Sequence, residues 1–228
     1  MAEPRQRFLV ETAKENNLEE IVQFLIDNFT QTEAILSNLN FDDELSQAEL
    51  RALLRDLVGD GLQCPATCVA RDRTTQRLDG VAIACKTAFF DRQVDRLCAH
   101  QFSARSVVDV VEFLRFVFNK LDVTYYLGEH NVTKPTFVAL VCVRKELWNQ
   151  GIGTALMNHV KSASHHTGSD GLISLCSNFN GNKLMSKYCS AFASVRYDVF
   201  KGEHRHPPIV MPPSEKFESI VAMITKFA

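Results

Sequence analysis

The run Trp148-Asn149-Gln150-Gly151-Ile152-Gly153-Thr154 sets two glycines one residue apart, just ahead of an apolar helical pattern. A continuously apolar stretch, residues 136–143 (TFVALVCV), lies immediately upstream. A strand, a turn and a helix start in that order make a generic anion site. The first amides of a helix lack partners within it, and the helix dipole adds partial positive charge. Glycine lets a phosphate approach without a β-carbon in the way. The plain alternative is a helix start with tight packing, and the two glycines alone do not choose between these readings. A dinucleotide fold would place a third glycine where Leu156 stands and would put the turn after the first strand. The lysine-bearing phosphate loop of nucleotide hydrolases is absent. Coenzyme A, whose pyrophosphate needs the same cradle, is the third candidate.

Other residue types that could do chemistry have bland readings beside them. Glu33, in the polar run QTE, is either a base or a solvated loop acid, and Asp27 competes on the same stretch. His165 and His166 fall late in a helical pattern, where histidine suits the dipole, so surface placement is expected. His204 and His206 flank Arg205 without a third ligand nearby, so no metal site is expected. Cys142 and Cys176 sit in strand-like runs, where buried thiols are usually inert. Asp42, Asp43 and Glu44 could attract a cationic substrate or simply form a solvated turn.

These residues need elements to position them. Residues 8–13 alternate as a first strand. Asn16, three residues before Glu19, predicts a capping box, and Leu18, Ile21, Val22, Leu25, Ile26 and Phe29 follow at helical spacing. After a break over 28–44, a second helix carries Leu50, Leu53, Leu54, Leu57 and Val58, with Gly59 and Gly61 ending it. Residues 66–72 and 78–91 read as an antiparallel hairpin. Val107, Val110, Val111, Leu114, Val117, Phe118 and Leu121 mark a long amphipathic helix. Residues 136–143 read as a central strand covered on both faces, followed by a helix bearing Ile152, Ala155, Leu156, Val160 and Ala163. Residues 171–177 suggest a buried strand and 182–192 a short helix. Residues 194–200 and 219–226 suggest two last strands, joined by the Pro-rich run 203–215. No repeat or linker divides the chain, so residues 1–228 read as one α/β domain. Its sheet is mixed, of about seven strands, with helices on both faces.

A net charge of −2 without a basic block gives no reason to expect nucleic acid as a partner. No apolar run reaches membrane-span length, and the first residues lack a signal-peptide core, so no membrane partner and a cytoplasmic location are expected. Seven cysteines without paired spacing read as reduced residues, not as disulfides or zinc ligands.

The glycine segment resembles the GNAT acetyltransferases, whose acetyl-CoA signature [QR]-x-x-G-x-[GA] follows a central strand and opens a helix. Trp148 stands where Gln or Arg is usual. The run LCSNFNGNKLMSKY is similar to the C-S-S-x-x-S-x-x-x-M strand end and helix of the insect arylalkylamine N-acetyltransferases, and NFTQTEAIL to their F-x-x-x-E-P-L segment. The resemblance implies a GNAT fold over nearly the whole chain and direct acetyl transfer from acetyl-CoA to a small arylalkylamine, without a metal, by a monomer or weak homodimer. It implies cofactor contacts from the backbone of Leu140, Val141, Cys142 and Val143. It implies others from Trp148, Asn149, Gln150, Gly151, Ile152, Gly153 and Thr154, and from Asn182, which otherwise only caps a helix. It places a catalytic carboxylate at Glu33 and a serine at Ser177. The second family serine is Gly181 here, where Asn180 or water would substitute. The tyrosine acid of many GNAT enzymes is Met185, and Tyr188 is expected to pack. Phe29, Phe41, Phe89, Phe90, Tyr125 and Tyr126 are the aromatics from which one or two pocket residues would come. A polyamine, amino acid or protein amine is the alternative acceptor, and a catalytically weak acyl-CoA-binding protein the alternative class.

Overall fold

The computed structural model describes residues 7–86, 101–200 and 217–227. Seven strands are β1 (Phe8–Thr12), β2 (Cys68–Asp72), β3 (Leu78–Lys86), β4 (Pro135–Val143), β5 (Gly171–Cys176), β6 (Ser190–Arg196) and β7 (Ser219–Lys226). They form one sheet in the order β1-β2-β3-β4-β5-β7-β6. Every neighbouring pair is antiparallel except β4 and β5. The helices among the described residues are α1 (Leu18–Asn28), α2 (Glu44–Leu62), α3 (Arg105–Lys120), α4 (Val123–Glu129), α5 (Ile152–His166) and α6 (Phe179–Met185). A parallel pair requires a crossover, and α5 supplies it between β4 and β5.

The pleat sorts side chains onto two unlike faces. Val69, Val81, Ile83 and Cys85 face the cluster that holds Ile21, Val22 and Leu25 of α1, Leu50, Leu54 and Val58 of α2, and Val107, Val110 and Phe113 of α3. Cys68, Ala70, Ala82 and Ala84 face the other cluster, where α5 lays down Leu156, Met157 and Val160. Small residues let α5 sit close. A β-carbon at Gly80 would come within 3.1 Å of Ile152 and 3.2 Å of Leu156. The helix that follows the glycine turn is therefore pressed against the middle of the sheet.

Several expected elements shift. Asn17, not Asn16, stands at the N-cap of α1 and makes no side-chain bond to the helix; its Oδ1 instead accepts the Lys14 N–H at 2.8 Å and closes the 3-10 turn Glu15–Asn17 before it. Gly59 and Gly61 lie inside α2, which runs on to Leu62. The helix expected at 182–192 is α6, Phe179–Met185, and the strand expected at 194–200 is β6, Ser190–Arg196, with Tyr197–Val199 forming a 3-10 turn. The short helix α4 was not expected. Phe89, Phe90, His204, Arg205 and His206 lie outside the described residues.

Candidate active site

The site begins where the sheet splits. β4 and β5 pair from Pro135↔Gly171 only as far as Val138↔Ser174, although β4 continues to Val143 and β5 to Cys176. At the apex the Ser174 hydroxyl donates to the Val138 carbonyl at 2.9 Å. The β3–β4 register passes from Val138↔Ala84 to Leu140↔Ile83, leaving Ala139 as a β-bulge at the same point. Beyond it, the Arg144 N–H donates to the Asp79 carbonyl at 3.0 Å. An antiparallel ladder alternates its bonded pairs. Cys142 and Leu140 thus turn their backbone groups to β3, while Val141 and Val143 turn theirs into the gap.

The loop leaving β4 is built to approach an anion. Asn149 and Gly151 have left-handed φ values of 62° and 85°. A β-carbon at Gly151 would meet nothing within 4 Å, so the left-handed backbone is what requires glycine there. At Gly153 the β-carbon would touch Leu184 of α6 at 3.3 Å, so that glycine also serves packing. Gly151 is the N-cap of α5 and offers no side chain to the first amides of the helix, which leaves them for a ligand. Trp148 donates its indole N–H to the Val143 carbonyl at 2.9 Å. It thereby ties the loop to the last gap-facing carbonyl of the strand.

Glu33 reaches the gap from the loop after α1. Its Oε2 accepts the N–H groups of Ile35 at 2.7 Å and Leu36 at 2.8 Å. The residue is only 4% exposed, and Oε1 has no hydrogen-bond partner among the described residues. Burial pushes the carboxyl above its ordinary range; the nearby Ser177 hydroxyl and the backbone amides pull the other way without cancelling the shift. Ser177 thus lies near the carboxyl, and Oε1 keeps unused accepting capacity.

A cavity of ≈ 430 Å³ joins these parts. It is lined by Val138–Val143, Trp148, Asn149, Gly151–Thr154, Ser177, Phe29, Thr32 and Glu33, with Asn178, Asn180 and Gly181. Gln150 and Asn182 do not line it, nor do Phe41, Tyr125 and Tyr126. Asp27 is an exposed acceptor for Gln23, and Asp43 caps α2 by accepting the Ser46 N–H. The Tyr188 hydroxyl lies within hydrogen-bond distance of the Thr154 carbonyl at 3.0 Å and of the Asn158 side chain at 2.8 Å, so it is committed to α5. Cys142 and Cys176 line the cavity, but burial pushes both thiols up to about 12. His165 and His166 are exposed at the end of α5. Among the described residues, no group of three His, Cys, Asp or Glu is placed to hold a metal ion. Sequence reasoning missed Thr32, Ser174 and Lys187. Ser174 carried a signal, since a lone serine in an apolar strand must find a partner.

No family model matches the sequence, and no curated protein matches it. Solved structures do. Polyamine N-acetyltransferase of Drosophila melanogaster superposes with a TM-score of 0.77 at 16% identity, covering 96% of this chain and 100% of that one. Arylalkylamine N-acetyltransferase 2 of Aedes aegypti gives 0.79 at 14%, covering 97% and 99%. The fold is that of the GNAT N-acetyltransferases. The NatC complex, solved with Gag peptide and CoA, matches at 0.52 and 9%, covering 97% and 99%. On this GNAT frame the parted strands, the left-handed turn and the orphan carboxylate oxygen share one cavity.

Proposed function

We propose that this chain is an acetyl-CoA-dependent N-acetyltransferase for a small primary amine of the arylalkylamine type. The observation that carries the reading is the chemical polarity of the cavity. Lys183 and Lys187 line it beside the α5 N-terminus, where Lys187 reaches Thr154, and Glu33 is the only carboxylate among its described lining residues. A polyanionic coenzyme and a cationic amine would enter such a cleft from opposite ends.

Acetyl-CoA would supply an activated acyl carbon. Val141 offers it an unpaired N–H and carbonyl along the gap and Val143 an unpaired N–H, the Val143 carbonyl being held by Trp148, as an added strand would use them. Asn149 and Gly151 to Thr154 offer free amides to the pyrophosphate, while the Gln150 amide is bonded to the Leu147 carbonyl. Glu33 would take the proton that the ammonium must lose, directly or through water, and its raised affinity for protons suits that task near neutral pH. The amine nitrogen then bonds to the acyl carbon as the C–S bond breaks, and the sulfur leaves as thiolate. Tyr188 is tied to α5, so the thiolate would be protonated from water or from the proton held at Glu33.

One buried carboxylate suits one ammonium, with Phe29 as apolar company. A polyamine or agmatine would bring a second cation for which the described lining has no acid. Thiol release from acetyl-CoA, followed with phenylethylamine, tyramine, dopamine and serotonin beside agmatine and spermidine, tests the reading. Turnover is expected with the arylalkylamines and little with the dications. Preference for the dications would move the acceptor class, and no turnover with any amine despite coenzyme binding would leave an acyl-CoA-binding protein.

A further inference from the structure

Ser177 is placed by something other than the sheet. It lies one residue beyond Cys176↔Val221, the last pair of β5 with β7, and three beyond Val138↔Ser174, the last pair with β4. On its other side, Asn178 caps α6 by accepting the Gly181 N–H at 2.7 Å. Its own carbonyl accepts the phenol of Tyr197. Tyr197 comes from the 3-10 turn after β6, is 2% exposed, and stacks on Phe113 of α3 with ring centroids 5.6 Å apart. Its N–H is bonded to the Glu218 carbonyl at 3.1 Å. A rigid, buried ring therefore presents its hydroxyl to the main chain at Ser177, which lines the same cavity as Glu33.

We propose that Tyr197 is a positioning residue for the acceptor end of the cavity: by holding the Ser177 carbonyl, its phenol fixes the serine hydroxyl beside the Glu33 carboxyl. This rests on the reading of Glu33 and Ser177 as the amine-facing groups. Burial raises the Glu33 carboxyl, and the Ser177 hydroxyl, ahead of the amides of Leu36, Ile35 and Ala34, works against that rise. The other ionisable side chains lining the cavity are Cys142, Cys176, Lys183 and Lys187, and none of them is among the main causes of its shift. Losing the serine hydroxyl from its place should therefore raise the Glu33 midpoint further.

The test is a ¹³C NMR titration of the Glu33 carboxyl, assigned by its loss in E33Q, in the full chain and in Y197F, S177A and the double variant. Phenylalanine keeps the stack on Phe113 and removes only the hydroxyl. The proposal expects Y197F and S177A each to raise the midpoint, and the double variant to raise it no further than S177A alone. A wild-type midpoint in Y197F beside a raised one in S177A would overturn it. Shifts that add in the double variant would do the same. S177A with an unshifted midpoint overturns it whatever Y197F does, including failure of Y197F to fold. No turnover is read, so a wild-type chain that acetylates no amine would count against the proposed function and leave this result standing.

Discussion

Glu33 is held where an ionised carboxylate is expensive, with one oxygen anchored by two amides and the other left over. Its folded-state midpoint lies above that of the unfolded chain, so folding favours the protonated form. That stabilisation is complete in acid and is lost as pH rises through the folded midpoint. E33Q removes the ionisation while keeping an acceptor for the amides of Ile35 and Leu36. Thermal unfolding should show the variant matching wild type in acid and exceeding it at neutral pH. Its kcat should fall about 10²–10⁴-fold, the usual worth of a general base. A variant that is destabilised at neutral pH would contradict the burial argument. The types and spacing of Glu33 and Gly151 were legible in the sequence, but Trp148 read as a departure until its N–H was seen on Val143. As the single tryptophan of the chain, it should report directly. Saturable addition of coenzyme A, followed by calorimetry, should change its emission, and unchanged emission would remove Trp148 from the coenzyme wall.

Helix α2 shows how packing overrides local rules. Gly59 and Gly61 looked like a terminator, yet the helix passes through both. At Gly59 a β-carbon would meet nothing within 4 Å, whereas at Gly61 it would lie 2.4 Å from Ile83 Cγ2 on β3. Gly59→Ala should therefore stabilise the fold by up to about 1 kcal/mol in denaturant unfolding, the ordinary helix-propensity gain. Gly61→Ala should destabilise it by about 1–3 kcal/mol, because overpacking against the sheet outweighs that gain. Equal effects at the two positions would mean that α2 does not press on β3 as described. The misread elements have similar causes. Val195, Tyr197 and Val199 alternate like a strand, but β6 is an edge strand with mostly exposed side chains and carries little periodic signal. Helix α4 is rich in β-branched and aromatic residues, and Asp122 caps its start by accepting the Tyr125 N–H at 2.9 Å. The strongly apolar β4, β5 and β7 were legible almost to the residue.

At the scale of the whole molecule, the sequence pattern predicted a mixed α/β sheet with helices on both faces, and the structure has it. The place where two neighbouring strands part was not legible, because it depends on a bulge at Ala139 and a clamp from Ser174 that no periodicity encodes. The parting turns an ordinary sheet into a groove, and it divides four residues that the sequence treated alike. Val141 presents a free amide and carbonyl and Val143 a free amide, its carbonyl being taken by Trp148, whereas Leu140 and Cys142 are already bonded to β3. Backbone amide exchange, measured residue by residue with and without coenzyme A, tests this most directly. The amides of Val141 and Val143 should become protected on binding, while those of Leu140 and Cys142 stay as slow as before. Coenzyme binding that leaves Val141 and Val143 unprotected would contradict the groove between β4 and β5 as the acyl-carrier site.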